Sequence, residues 1–311
     1  MATGINFATG PGRPLDTLRI FTALGIRFWD LLLNVPIGDG LQVQARLEGS
    51  SGNPLDARQL PSGVYAFFGL PGLRAAEYPA DPPDFGPPRT FNYIVTVADL
   101  LGRFLPAVLV YSLDQAGRVL AGGIPDPGRD PRVAYLFSAP SRTAPPGIAA
   151  VRADLLDKDT GQPAAWAVLR LQVAGQPEAW TGVADDRGRA LILFPYPLVD
   201  RLTLGSPPGS GQGSITEQNW PVSVQARYGP ANLRFSLDGV PGLAYPWSVT
   251  PNLKSILEDQ PPARIWTEDS QSTFSADATL VFGQELVLRT RLSDPALLSS
   301  TLSISGGTSP L

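Results

Sequence analysis

Short apolar segments separated by turn residues recur along the whole chain, and this pattern constrains the fold more than any other feature. In LQVQARL (41–47), apolar and polar residues alternate, which is the period-2 pattern of a half-buried strand. FNYIVTVAD (91–99) alternates in the same way. Because many short strands separated by turns are typical of β-sandwiches, the sequence predicts an all-β fold.

The composition fits a globular protein that is rich in turns. Of the 311 residues, 32 are glycine and 33 are proline, which is well above average usage but below the level typical of low-complexity chains. Hydrophobic residues make up 43% of the chain, which is enough to build apolar cores. The length is consistent with roughly two domains.

Two segments with similar sequence patterns indicate that one architecture occurs twice in the chain. SGVYAFFGLPGL (62–73) and RGRALILFPYPL (187–198) each combine a β-like run with a turn. We interpret each run as the central strand of a small β-sandwich, and the recurrence as an internal duplication. The tail also contains one predicted short helix, Pro251–Asp259, with proline in its first turn. The predicted domains are an N-terminal arm (1–17), a first sandwich (18–120), a Pro-rich linker (121–147), a second sandwich (148–230) and an extended β-rich C-terminal docking tail (231–311).

The residue types that are missing exclude several kinds of chemistry. The chain contains no cysteine and no histidine, so disulfides, thiol nucleophiles and histidine-based triads are impossible within it. We predict a protein that is not an enzyme and that uses no cofactor and no metal. The net charge is −4 and the arginines are scattered, so the basic stripe that nucleic-acid binding requires is missing.

The N-terminal region carries no sequence pattern of a signal peptide or a membrane span. MATGINFATGPGRPLD (1–16) lacks a charged segment followed by an apolar one. IRFWDLLLNVPI (26–37) is interrupted by Arg27 and Asp30 and is too short to cross a bilayer. We therefore expect cytoplasmic synthesis without a signal peptide.

Two acidic segments allow either a chemical or a purely structural interpretation. Asp157 and Asp159, in DKDTG (157–161), resemble the start of a calcium loop that lacks its terminal acidic ligand. A plain turn is favoured, because Asp and Gly are preferred there for backbone reasons, and calcium binding stays open. Asp185 and Asp186 are adjacent, so their side chains point apart and are poorly placed for acid–base work.

The six tryptophans also allow two interpretations. Exposed on one surface, they could form a platform for binding sugars. For Trp29, Trp166 and Trp220 a place in a sandwich core is favoured, because these residues lie within alternating segments.

The C-terminal tail holds the candidate docking residues. Trp247 and Trp266 lie in proline-rich segments and are predicted to anchor the chain on another surface. Phe282, Leu286 and Leu288 lie in a strand-like segment further along and are predicted to contact a partner as well. The predicted mechanism is strand addition, in which main-chain hydrogen bonds supply affinity and side-chain pockets supply register.

Several turn and strand segments of the second predicted sandwich form a recognisable set. They are Val151–Asp154, Asp159–Pro163, Thr181-Gly182, Asp185–Gly188 and the aromatic Phe194. Together they resemble a carboxypeptidase regulatory-like domain, which is a seven-stranded sandwich of the transthyretin type. The resemblance implies a domain of a kind that supplies rigidity or contact surface and not catalysis. Together with the predicted duplication, it leads us to expect two tandem transthyretin-like or Ig-like β-sandwiches.

Further segments give the whole chain a looser resemblance. They are FFGLPGLRAAEY (67–78), LLGRFLPAV (100–108), TLVFGQELVLRT (279–290) and LSISGG (302–307). The chain is similar to accessory structural proteins of phage-tail-like contractile injection systems. This similarity implies a structural subunit of a cap, collar or baseplate ring. Its partners would be other subunits, in a homo-oligomeric ring such as a hexamer, within a particle that can be released from the cell. The alternative is a surface adhesion module that binds carbohydrate or protein.

Overall fold

The structure is a computed structural model, and almost all of its regular elements are strands. Strands account for 47% of the chain and helices for 6%, which confirms the predicted all-β fold. Residues 8–15 of the predicted arm and 124–129 of the predicted linker lie outside the described residues. The structure describes residues 2–7, 16–78, 87–123, 130–197, 218–292 and 299–306.

The chain divides into two compact units, and each takes up part of the C-terminal region. Unit 1 consists of residues 1–101, 106–136 and 234–254, and unit 2 consists of residues 102–105, 137–233 and 255–311. The region predicted to be one docking tail is therefore shared between the units. Its apolar residues explain this, because Leu237 and Leu253 are buried in unit 1 and Ile256 and Ile265 in unit 2.

Unit 1 contains a two-stranded hairpin and two five-stranded sheets. The hairpin pairs β1 with β2, one sheet has the order β11-β10-β9-β5-β6, and the other has the order β12-β3-β8-β7 with β4 beside β3. The parallel pair β12–β3 is formed by a strand from the predicted linker. The elements are β1 (Ala2–Phe7), β2 (Asp16–Phe21), β3 (Leu24–Asp30), β4 (Val35–Pro36), β5 (Leu41–Leu47), β6 (Leu55–Asp56), β7 (Arg58–Gln59), β8 (Tyr65–Phe67), α1 (Arg74–Glu77), β9 (Thr90–Asp99), β10 (Ala107–Asp114), β11 (Val119–Ala121) and β12 (Val133–Leu136).

Alternation along β3 shows how unit 1 builds its core. Leu24, Ile26 and Phe28 are fully buried on one face of the strand. Trp29 belongs to the other face, is half-buried, and donates from Nε1 to Oδ1 of Asn34. Trp29 therefore lies outside the core position predicted for it, because its neighbours in the strand take the buried face.

Unit 2 is built on one branched sheet. The main path is β15-β14-β17-β18-β22-β13-β16, and β19, β20 and β21 branch from β18, β17 and β13. Two short helical turns, Pro230–Asn232 and Ser255–Asp259, belong to the same unit. The strands are β13 (Ile148–Asp157), β14 (Val168–Val173), β15 (Ala179–Val183), β16 (Arg189–Pro195), β17 (Asn219–Arg227), β18 (Pro262–Glu268), β19 (Gln271–Thr273), β20 (Ala276–Val281), β21 (Leu286–Leu288) and β22 (Leu302–Gly306).

The branches arise because two long strands change partner along one edge. Residues 219–224 of β17 pair with β20, whereas residues 226–227 pair with β18. Residues 151–153 of β13 pair with β21, whereas residues 155–157 pair with β22. We call the region between β17 and β13 the seam of the sheet. At the end where β17 pairs with β18 and β13 pairs with β22, β18 and β22 also pair with each other, so the seam is closed there. No pairing joins β20 to β21 among the described residues, so the seam is open at the other end.

The short helix predicted at Pro251–Asp259 is present, but it is a π-helical turn over Ser255–Asp259. The guanidinium of Arg227 donates to the carbonyls of Leu257, Glu258 and Gln260 at the end of this turn. A cation there complements the unpaired carbonyls and the negative end of the helix dipole.

Each unit contains its own copy of the same type of hairpin turn. The similarity lies in the turn and is not seen when only the strands are compared. In both 114–118 and 185–189 the sequence reads Asp-x-x-Gly-Arg. The first carboxylate oxygen accepts the backbone N–H groups of the third and fifth residues, and the second accepts the arginine Nε. In unit 2 the hydrogen bond to Asp185 raises the pKa of Arg189. The repeated turn is consistent with the predicted duplication.

Asp185→Ala is expected to lower the free energy of unfolding of unit 2 by about 2 kcal/mol, because two backbone N–H groups lose their acceptor. The half-exposed Arg189 guanidinium adds little to this loss. Chemical denaturation measures the effect. The matched control is Asp186→Ala, since no hydrogen bond within the described residues uses that side chain; equal losses for the two variants would contradict the assignment.

Candidate functional site

The open end of the seam in unit 2 forms a groove of about 530 Å³. We call it the β20–β21 groove, since these two strands form its walls. Its volume is within the range of ligand-binding clefts in proteins. Its apolar lining comprises Val224, Ala276, Ala278, Leu286, Val287, Leu288 and Leu302.

The walls of the groove follow from the alternation of its two strands. On β20, Ala276 and Ala278 face inward, and Asp277 and Thr279 are exposed on the rim. On the other side, Leu286 and Leu288 face inward and pack on the core of unit 2. The groove therefore has apolar inner walls, and its rims are polar or charged except at the exposed Val287. This is the arrangement expected of a site that holds an amphipathic segment.

Each wall also offers an unpaired strand edge. Within the described residues, β20 pairs only with β17, and β21 pairs only with β13. Main-chain donors and acceptors on the far side of each strand have no strand partner there. Such an edge is a template for an added strand, so the groove can accept an extended peptide through backbone hydrogen bonds.

Charged side chains stand on both rims. Asp277 lies on the β20 side, whereas Glu268, the last residue of β18, forms a β-bridge with Arg291 and lies on the arginine side. Arg289 and Arg291 follow β21 and are exposed. Opposite charges thus flank one apolar groove.

Three aromatic rings fix the connection between the two walls. Phe282 lies directly after β20, and its ring centroid is 4.8 Å from that of Tyr196 and 6.5 Å from that of Trp220. The backbone N–H of Gly283 donates to the Tyr196 hydroxyl at 3.0 Å. The rings are tilted by 35–58° to one another, so they pack against each other and the core and do not present one flat face for stacking sugars.

The structure brings three of the five predicted docking residues to this groove. Leu286 and Leu288 line it, and Phe282 holds the turn that joins its walls. Trp266 precedes the lining residue Thr267, but its Nε1 donates to Ser305. Lys158 lies over the Trp266 ring at 5.3 Å.

Trp247 belongs to unit 1 and takes no part in the groove. It is half-buried against a small apolar cluster of Ile94, Val108 and Leu237. The docking role of the five residues stays a prediction.

The other two tryptophans with predicted core positions reach the core to different extents. Trp166 is buried, in a turn where its φ is 61° and not within a strand. Trp220 is half-buried and packs on the core of unit 2.

Two of the four acidic residues singled out in the sequence, Asp157 and Asp185, serve turns. Asp157 is buried, its Oδ1 accepts the N–H of Asp159, and its Oδ2 accepts the hydroxyl of Thr160. Burial, together with the Asp157 carboxylate, raises the pKa of Tyr228 to about 12. Asp185 caps the turn described above. Across the described ranges, no group of three or more potential ligands is placed to hold a metal ion.

The chain has only distant similarity to the solved structures that it matches. No family model matches the chain, and no curated protein matches it. The C-terminal fragment of the pilus adhesin SpaC from Lactobacillus rhamnosus GG is 11% identical, with 93% of this chain and 99% of that chain covered and a TM-score of 0.20. A candidate adhesin from Bacteroides ovatus is 12% identical, with 66% and 72% covered and a TM-score of 0.16. TM-scores this low do not indicate a shared fold or a shared function. The resemblances to carboxypeptidase regulatory-like domains and to contractile injection systems remain predictions.

Among the described residues, no helix has the length and apolarity needed to cross a bilayer.

Proposed function

We propose that this chain is a non-enzymatic binding module that takes up an extended segment of a protein partner in the β20–β21 groove. One observation carries the proposal: two unpaired strand edges flank an apolar groove at the point where the seam of the sheet opens. An added strand would bond to a free edge and place alternate side chains on the apolar walls. The adhesion alternative allowed either carbohydrate or protein as the ligand, and the proposal specifies protein.

The absence of enzymatic activity is part of the proposal. The carboxylates that stood out in the sequence, Asp157 and Asp185, are occupied by backbone and side-chain donors of their own turns. Placement in a contractile injection particle, ring assembly and sugar binding have no supporting feature at this site, and they stay predictions.

Selection from a random peptide display library against the full chain tests the proposal, because such a library samples many strand sequences at once. We expect selected peptides to alternate between apolar and polar residues. Upon binding, they should slow hydrogen exchange in β20 and β21, because their backbone groups gain partners. Ala278→Trp fills the groove and is expected to weaken these peptides at least about tenfold, which is about 1.4 kcal/mol.

The matched control is Ala179→Trp, which alters another half-buried alanine of unit 2, on β15. This variant should bind the peptides like the unchanged chain. The proposal fails if the two tryptophan variants bind equally well, if the protected backbone lies outside the groove, or if no peptide is selected.

A further inference from the structure

The charges beside the groove specify the kind of segment that it accepts. Arg289 and Arg291 are two residues apart in an extended stretch after β21, so their side chains project to the same side. Both line the groove and both are exposed. Among the residues that the structure describes, neither takes part in an ion pair.

Two other arginines of unit 2 differ from this pair because an acidic side chain already binds them. Arg152, on the strand next to β21, bonds to Glu285 at 2.8 Å. Arg189 bonds to Asp185 at 2.7 Å. The two groove arginines thus combine a place at the groove with guanidinium groups that no acidic residue of the described chain neutralises through an ion pair.

The inner walls set a second requirement. Ala276 and Ala278 carry only methyl groups, so the β20 wall is thin and leaves volume above Val224 and Leu302. Close packing of an apolar interior leaves few voids. An incoming strand would fill this space best with bulky apolar side chains at every second position.

The opposite rim limits where acidic groups can lie. Asp277 is exposed on β20 and, within the described chain, forms no ion pair. It repels an acidic side chain on its own side of the groove. The other side carries one acidic residue, Glu268, beside the two cations Arg289 and Arg291, so its net charge is positive. Acidic groups of the ligand are therefore favoured on that side.

We infer that the partner segment is an acidic β-strand, with Asp or Glu at outward positions beside Arg289 and Arg291 and bulky apolar residues at the alternate inward positions. This inference rests on the proposed function of the groove. It adds the chemistry of the ligand, which the free strand edges alone do not specify.

The same peptide library tests the inference through the composition of what it selects. Peptides selected on the unchanged chain should be rich in Asp and Glu at alternate positions. The double variant Arg289→Glu and Arg291→Glu should instead select peptides rich in Lys and Arg. The control is Arg170→Glu with Arg187→Glu, which changes the net charge equally at exposed sites away from the groove and should leave the selection unchanged.

Affinities of one selected peptide complete the test. Replacing its Glu residues by Gln should weaken binding about fivefold, as expected for two exposed ion pairs. Asp277→Asn should strengthen binding of the Glu form, because a repulsive charge is removed. Equal affinities of the Glu and Gln forms, or identical selections by unchanged and charge-reversed chains, would overturn the inference and leave strand binding intact. Failure to select any peptide would instead overturn the proposed function.

Discussion

Gly188→Ala is expected to lower the free energy of unfolding of unit 2 by about 4 kcal/mol, with contributions from backbone conformation and from overlap. Gly188 has a φ of 77°, where a side chain is disfavoured. A Cβ there would lie 2.4 Å from the carbonyl oxygen of Leu155 and 3.1 Å from the nitrogen of Ala164. Both atoms belong to the backbone, so the overlap cannot be relieved by a change of rotamer.

Gly161→Ala separates the two contributions. Gly161 has a similar φ of 69°, but a Cβ there would meet nothing within 4 Å. We expect a loss of about 1 kcal/mol, from backbone conformation alone. Urea denaturation gives both free energies, and hydrogen exchange assigns the loss to unit 2. Similar losses at the two glycines would show that the close approach at Gly188 does not determine stability.

The strands could be predicted from the sequence because alternation is a local property. Leu41–Leu47 was predicted as a half-buried strand, and the structure has β5 over these residues, with Val43 and Ala45 buried. Trp29 shows where local reading fails. An aromatic residue inside a strand-like segment suggested a core residue, but the face of a strand is decided by the full alternation, which Leu24, Ile26 and Phe28 set.

The groove could be predicted only in part. The pattern around Phe282, Leu286 and Leu288 indicated strands and apolar contacts, and all three residues lie at the groove or its turn. The opening itself depends on β17 and β13 each exchanging partners along one edge, which is a property of distant pairings. The alternation of residues 276–279 and 286–291 could have indicated which small residues form the wall and which arginines lie on the rim. The predicted docking residues did not include these small residues and arginines.

Gln260 is a further residue that sequence reading could not find, because its role is to join three separated segments. It is fully buried. Its Nε2 donates to the carbonyls of Trp166 at 2.9 Å and of Ile256 at 2.8 Å, and its Oε1 accepts the N–H of Gly229 at 3.0 Å. One side chain thereby satisfies three backbone groups, including that of Trp166 in its left-handed conformation.

Gln260→Met is expected to lower the free energy of unfolding of unit 2 by about 4 kcal/mol, because a side chain of similar size removes the partner of two buried carbonyls and of one partly buried N–H group. Release of Trp166 should also shift its fluorescence to longer wavelength before global unfolding. Gln225→Met, at an exposed position of β17, is the matched control and should change stability by less than about 0.5 kcal/mol. If Gln260→Met were as mild as the control, the three segments would be held by packing of their apolar residues alone, and the buried amide would not determine the conformation of Trp166.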